Sequence, residues 1–93
     1  MTNLSIASRV KLSGDVLFQE LQGDAVLLDM QSGVYFGLDQ IGTRIWNLLG
    51  EHKCISDVIN VITQEYDVTE QRCSGDVLAL VVRLQEQGLL SIE

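Results

Sequence analysis

A change of hydrophobic period with no loop in between constrains this chain more than any other feature. Val34-Tyr35-Phe36-Gly37-Leu38 is β-branched, aromatic and glycine in composition, which suits a short strand. Directly after it, Ile41, Ile45, Leu48 and Leu49 fall on one helical stripe. Asp39 lies where the period changes. Its carboxylate can accept from the free N–H groups of a first helical turn and lies favourably against the helix dipole, so Asp39 reads as an N-cap and Gly50 as the stop. A strand that feeds a capped helix directly is a rigid corner, and the segments on either side decide its use.

Upstream, Val16–Leu21 reads as a strand, Gln22-Gly23-Asp24 as a turn and Ala25–Met30 as a second strand, together a hairpin. Gln31-Ser32-Gly33 is another tight connection, with Gly33 suited to a positive φ, and leads into the third strand, Val34–Leu38. Alternation places Val26, Leu28 and Met30 on one face of the second strand and Val34, Phe36 and Leu38 on one face of the third, and these are expected to face the core. Trp46 and Phe36 read as core anchors, while Tyr35 and Gly37 point the other way. A meander in chain order leaves the third strand at an edge, with a row of unpaired backbone groups. Val10 and Leu12 alternate with polar residues and give only a weak signal for a further short strand.

Downstream, Ile55, Val58, Ile59, Ile62 and Tyr66 mark a second helix with Ser56 as its expected N-cap. Thr69 is placed to cap a third helix running to about Gln87, with Cys73, Val77, Leu80, Val81 and Leu84 on one stripe, Leu78 and Val82 widening it, and Gly88 as the stop. Gly75 near its start costs about 1 kcal/mol relative to alanine, which suggests a later start or a close contact. Leu89-Leu90-Ser91-Ile92 reads as a last extended piece. The order expected is βββααα, an α+β domain.

The 93 residues, 46% of them hydrophobic, suffice for one small domain with an ordinary core. A net charge of −7 with six scattered basic residues opposes phosphate-backbone binding, and it disfavours an anionic membrane surface for the same reason. Cys54 and Cys73 lack metal or redox spacing, so the first reads as a loop residue and the second as a small helix hydrophobe. His52 is the only histidine, and no convergent set points to an enzyme, a metal or a cofactor. The stretch Met1–Arg9 carries no basic segment followed by a long apolar run, and nothing approaches a membrane span; together with the sparse cysteines this leads to the expectation of a cytoplasmic protein.

The segment Gly33-Val34-Tyr35-Phe36-Gly37-Leu38-Asp39, with Gly42-Thr43-Arg44-Ile45-Trp46 behind it, resembles the PqqD-like family, also called the RiPP recognition element. The likeness extends from about Val16 to Leu90. It takes in Ala25-Val26-Leu27-Leu28-Asp29, Ile45-Trp46-Asn47-Leu48-Leu49, Tyr66-Asp67-Val68, Asp76-Val77 and Gly88-Leu89-Leu90 in that order. It implies a winged helix-turn-helix-like fold and a single peptide-binding domain over residues 1–93 with its core at about 16–90. It also implies a role: holding the leader segment of a ribosomally made precursor peptide for a separate modifying enzyme, whether a radical SAM enzyme, a leader protease or a cyclase. Family members act in pyrroloquinoline quinone and in lasso-peptide synthesis. Carried onto this chain, the leader would add as a strand along Val34, Tyr35, Phe36, Gly37 and Leu38, against a helix wall of Val77, Leu80, Val81 and Leu84. The physics of an open edge beside an apolar helix fits that mode, because the edge supplies sequence-tolerant hydrogen bonds and the helix supplies pockets. Two other readings use the same elements: a winged-helix DNA-binding regulator, which the charge opposes, and a homodimer formed by edge pairing.

Overall fold

The computed structural model describes residues 4–93; Met1, Thr2 and Asn3, the start of the stretch read for a targeting signal, lie outside them. Along the chain come β1 (Val10–Leu12), β2 (Val16–Leu21), β3 (Asp24–Asp29), β4 (Tyr35–Leu38), α1 (Gln40–His52), α2 (Ile55–Glu65), α3 (Glu70–Glu86) and β5 (Leu90–Ile92). The expected three-stranded antiparallel sheet is β2-β3-β4, with β4 at an edge, and the three helices follow it in an α+β, winged helix-turn-helix-like arrangement. The expected order βββααα is two strands short. β1 and β5 form a second antiparallel sheet that pairs Val10 with Ile92 and Leu12 with Leu90. With Val10 fully buried and Leu90 nearly so, the core begins before residue 16. Each of these strands has three residues and its partner lies at the far end of the sequence, so no local turn announces the pairing.

The hairpin β2–β3 closes on Gln22 and Gly23, both at positive φ. The β3–β4 turn is held by Asp29: its carbonyl accepts from Gly33 N at 2.8 Å, and its carboxylate accepts from Gln31 N and Ser32 Oγ. Gly33 takes φ +76° there, a region that L side chains rarely adopt, so glycine is required.

The core face of β3 differs from the expectation by one residue. Ala25 and Leu27 point inward, Leu27 with no exposure, whereas Val26 is 42% exposed and Met30 is exposed. The pairing of Leu27 with Phe36 and of Ala25 with Leu38 puts these four on the helix side, beside Phe18 of β2. Both parities of Ala25–Met30 are apolar, so alternation alone cannot choose between them, and the register with β4 does. Val34 also departs from the inward assignment, being exposed just before β4.

Helix α1 starts on Asp39, whose Oδ1 accepts from Gly42 N at 2.7 Å. It passes through Gly50 to His52 and ends on Lys53 at φ +65°. Gly50 is therefore an interior residue, and a Cβ there would already touch Leu12 Cδ1 at 3.4 Å. Helix α2 is preceded by Cys54 rather than Ser56, since Cys54 already pairs with Arg9 in an isolated bridge and holds extended geometry. In α3 Thr69 caps as expected, accepting from Arg72 N at 3.2 Å, and Gly88 follows the last turn at φ +74°. Cys54 and Cys73 are both free thiols.

Ile45, Trp46, Leu48 and Leu49 of α1 carry the core between the sheet and Val58, Ile59 and Ile62 of α2, with Val77, Val81 and Leu84 of α3 completing it. α3 packs chiefly on α2 and β5. Gly75 has neither a close contact nor a late helix start to explain it: a Cβ there meets nothing within 4 Å. Gly75→Ala is therefore expected to raise stability by about 1 kcal/mol, read as a higher Tm in thermal unfolding.

Arg44 of α1 grips Glu65 of α2 with both prongs, Nε to Oε1 at 2.9 Å, and this hydrogen bonding holds the Glu65 carboxyl below its ordinary value of 4.5. The Ser32 hydroxyl and the Gln31 amide likewise hold Asp29 below 3.8. A carboxylate with a lowered folded pKa contributes stability above its unfolded value and loses it as pH falls through the folded one. The gap in stability between wild type and Glu65→Gln is thus expected to be present at neutral pH and to close below pH 4.5, as followed by circular dichroism across an acid titration. Its size is modest because the pair is partly exposed.

Candidate functional site

The β3–β4 register decides which backbone groups of the edge strand are free. Asp29 N donates to Val34 O at 3.0 Å, so residue 34 belongs to the hydrogen-bonded series and spends its carbonyl on β3. In an antiparallel ladder that series continues at every second residue. Phe36 and Leu38, opposite Leu27 and Ala25, thus direct their N–H and C=O groups into the sheet. Tyr35 and Gly37 direct theirs outward along the open edge, and no partner binds them among the described residues.

Beside that edge lies a cleft of about 330 Å³ between α3 and the corner where β4 becomes α1. Its corner side is Asp39, Ile41, Gly42 and Ile45, and its helix side is Asp76, Ala79, Leu80 and Arg83. The corner is tight: a Cβ on Gly42 would stand 3.1 Å from Asp39 Oδ1 and 3.3 Å from Leu38 Cδ2. Across the mouth, the Arg83 guanidinium stands 5.1 Å from the centroid of the Phe36 ring, a cation–π distance.

The nine site residues expected from sequence separate accordingly. The Tyr35 side chain is 70% exposed on the sheet face away from the helices, Gly37 is exposed, Phe36 is half-buried on the inner face and Leu38 is buried there. Val77, Val81 and Leu84 have no exposure and are spent on the core. Only Leu80 of the four helix residues reaches the cleft, with 9% exposure. Sequence reasoning missed Asp76, Ala79 and Arg83, and it placed Ile41 on the core stripe although Ile41 is 42% exposed in the cleft wall. The signal was present: 76, 79, 80 and 83 recur at i, i+3, i+4 and i+7, one step round the helix from the core stripe. The far face of the sheet carries Leu17, Val26 and Tyr35, all exposed, with Leu28 between Leu17 and Tyr35 in register.

Among the described residues no group of three or more His, Cys, Asp or Glu side chains could hold a metal ion, and no helix is long and apolar enough to cross a membrane.

Fold and site together define a small α+β domain with an open strand edge beside a cleft of apolar and charged residues under α3. The chain belongs to the PqqD family: the family model described as coenzyme PQQ synthesis protein D matches residues 24–90. Two solved structures are similar over nearly their whole length. One, TbiB1 in complex with the TbiA(beta) leader peptide, has 36% identity and a TM-score of 0.82, covering 87% of this chain and 94% of that one. The other, a lasso peptide synthetase B1 complexed with the leader peptide, has 29% identity and a TM-score of 0.80, covering 89% and 98%. No curated protein sequence matches the chain significantly.

Proposed function

We propose that this chain binds the leader segment of a ribosomally made precursor peptide and presents the remainder to a separate enzyme. The observation that carries the reading is the open edge of β4, with the backbone groups of Tyr35 and Gly37 directed into solvent beside the cleft under α3. An extended segment added there gains hydrogen bonds that any sequence can make, and its alternate side chains enter the cleft. The two similar structures, both complexes with leader peptides, support this use of the fold. The leader runs along Val34–Leu38, contacting the backbone of Tyr35 and Gly37 directly, while its inward side chains meet Ile41, Leu80 and Ala79. Val77, Val81 and Leu84 act behind Leu80 as its packing support. The chain carries out no chemistry itself. A partner enzyme acting on the presented peptide completes the system, and the same scaffold serves a lasso-type or a PQQ-type pathway.

The test is an NMR titration of the nitrogen-labelled domain with the leader of a precursor encoded beside it. Saturable shifts at the Tyr35 and Gly37 amides and along 76–83 are expected. A folded domain that gives no shift with that leader or with the TbiA(beta) leader would overturn the reading. As a check on the cleft, Ile41→Asp, at a 42% exposed position of its wall, is expected to weaken binding about tenfold or more by placing a charge where an apolar side chain must be desolvated, measured by fluorescence anisotropy with circular dichroism verifying the fold.

A further inference from the structure

We propose that Arg83 selects leaders carrying an acidic side chain, and that the cleft thereby reads the charge order of the bound segment; this rests on the peptide-binding reading above.

Arg83 is one of six basic residues against thirteen acidic ones, yet among the described residues it is in no ion pair, whereas Arg44 and Arg72 are. Its guanidinium instead stands over the Phe36 ring, 5.1 Å from the centroid. Stacking uses the face of a guanidinium and leaves its edge donors unspent, and a planar fork of N–H donors matches a carboxylate. That fork stands at the mouth of the cleft, on the wall that the inward side chains of an added strand would meet. Seven residues earlier on the same helix stands Asp76, about 10 Å away by helical rise, with Asp39 on the facing corner. Asp76 is the partner of Arg72, 4.0 Å away, but both side chains are largely exposed, so the pair is solvent-screened and leaves Asp76 a weak rather than a full repulsive charge. Asp39 Oδ1 accepts from Gly42 N, and its carboxylate adds a second negative charge to the cleft lining. The cleft thus sets a cation and a carboxylate about two helical turns apart along the α3 wall, with the Asp39 carboxylate on the wall opposite. An extended segment advances about 3.3 Å per residue, so positions two to four residues apart sample the two ends. The segment that fits carries Asp or Glu beside Arg83 and a neutral or basic side chain beside Asp39 and Asp76. Binding this way also discriminates: a leader with the opposite order meets like charge at both ends.

The experiment selects a displayed library of randomised peptides in parallel on wild-type domain and on the Arg83→Gln and Arg83→Glu variants. Arg83 is exposed, so both variants should keep the fold, and circular dichroism verifies it. Wild type is expected to enrich Asp or Glu at one position, Arg83→Gln to lose that preference, and Arg83→Glu to replace it with Lys or Arg. For a selected acidic peptide, affinity should fall about tenfold or more for Arg83→Glu and less for Arg83→Lys, with the difference shrinking at high salt. Exchanging the peptide's acid for its amide should weaken wild type and leave Arg83→Gln unchanged. Enrichment of peptides whose acidic content is the same on all three proteins would overturn the role of Arg83 while leaving peptide binding intact. No enrichment on wild type would overturn the peptide-binding reading and this inference with it.

Discussion

Tyr35→Pro is expected to lower leader affinity about tenfold or more while the domain stays folded. The Tyr35 N–H points out of the sheet, so proline there removes no ladder hydrogen bond. What it removes is one donor for the added strand, worth about 1 kcal/mol net, and it also projects a ring into the edge where that strand must approach. Tyr35→Ala keeps the N–H and deletes only the exposed ring, so it separates backbone from side chain: its affinity should stay within a fewfold of wild type. Phe36→Pro is the complementary case. Its N–H serves the β3 ladder, so the same substitution one residue along should lower thermal stability before it affects binding at all. Fluorescence anisotropy with a labelled leader, beside melting curves for all three variants, decides the matter. Equal affinity for Tyr35→Pro and Tyr35→Ala would remove strand addition as the mode.

Leu27→Ala is expected to cost about 3–4 kcal/mol and Val26→Ala less than about 1 kcal/mol. Leu27 has no exposure and lies between Phe18 and Phe36 across the sheet, over α1, so truncation leaves a void that three neighbouring elements cannot fill. Val26 is 42% exposed on the far face and loses little when shortened. For a domain near 100 residues each kcal/mol moves Tm by roughly 4–8 °C, so Leu27→Ala should melt at least ten degrees or so lower, a large share of the stability of so small a domain. Comparable losses for the two variants, followed by circular dichroism, would reverse the assigned face of β3.

Much of the architecture was legible in the residues because its cues are local. The strand-to-helix corner at Asp39 follows from a change of period and a capping side chain, and Thr69, Gly33 and Gly88 act as their chemistry dictates. Elements that depend on distant partners were not legible. Val10–Leu12 and residues 89–92 each carried a strand signal, but their pairing joins the two ends of the chain and no local cue announces it, and the helix runs past Gly50 to end on Lys53 at φ +65°. The cap at Cys54 was hidden for the same reason, since its extended geometry is held by Arg9.

For the site, the strand half was legible and the helix half was not. Periodicity identified a wide apolar α3 but could not say which stripe faces inward, because Val77, Leu80, Val81 and Leu84 are all apolar and only packing against α2 and β5 distinguishes them. By itself the amino-acid order determined the three-stranded meander, its open edge, the capped starts of α1 and α3 and the family resemblance, since each is written in residues close together in the chain. Tertiary structure alone decided that Ala25 and Leu27 face the helices, that the free backbone groups are those of Tyr35 and Gly37, and that Ile41, Leu80 and Arg83 share one cleft. Each of those depends on register or rotation between separate elements, and a one-residue shift in either reverses the answer without changing any local preference.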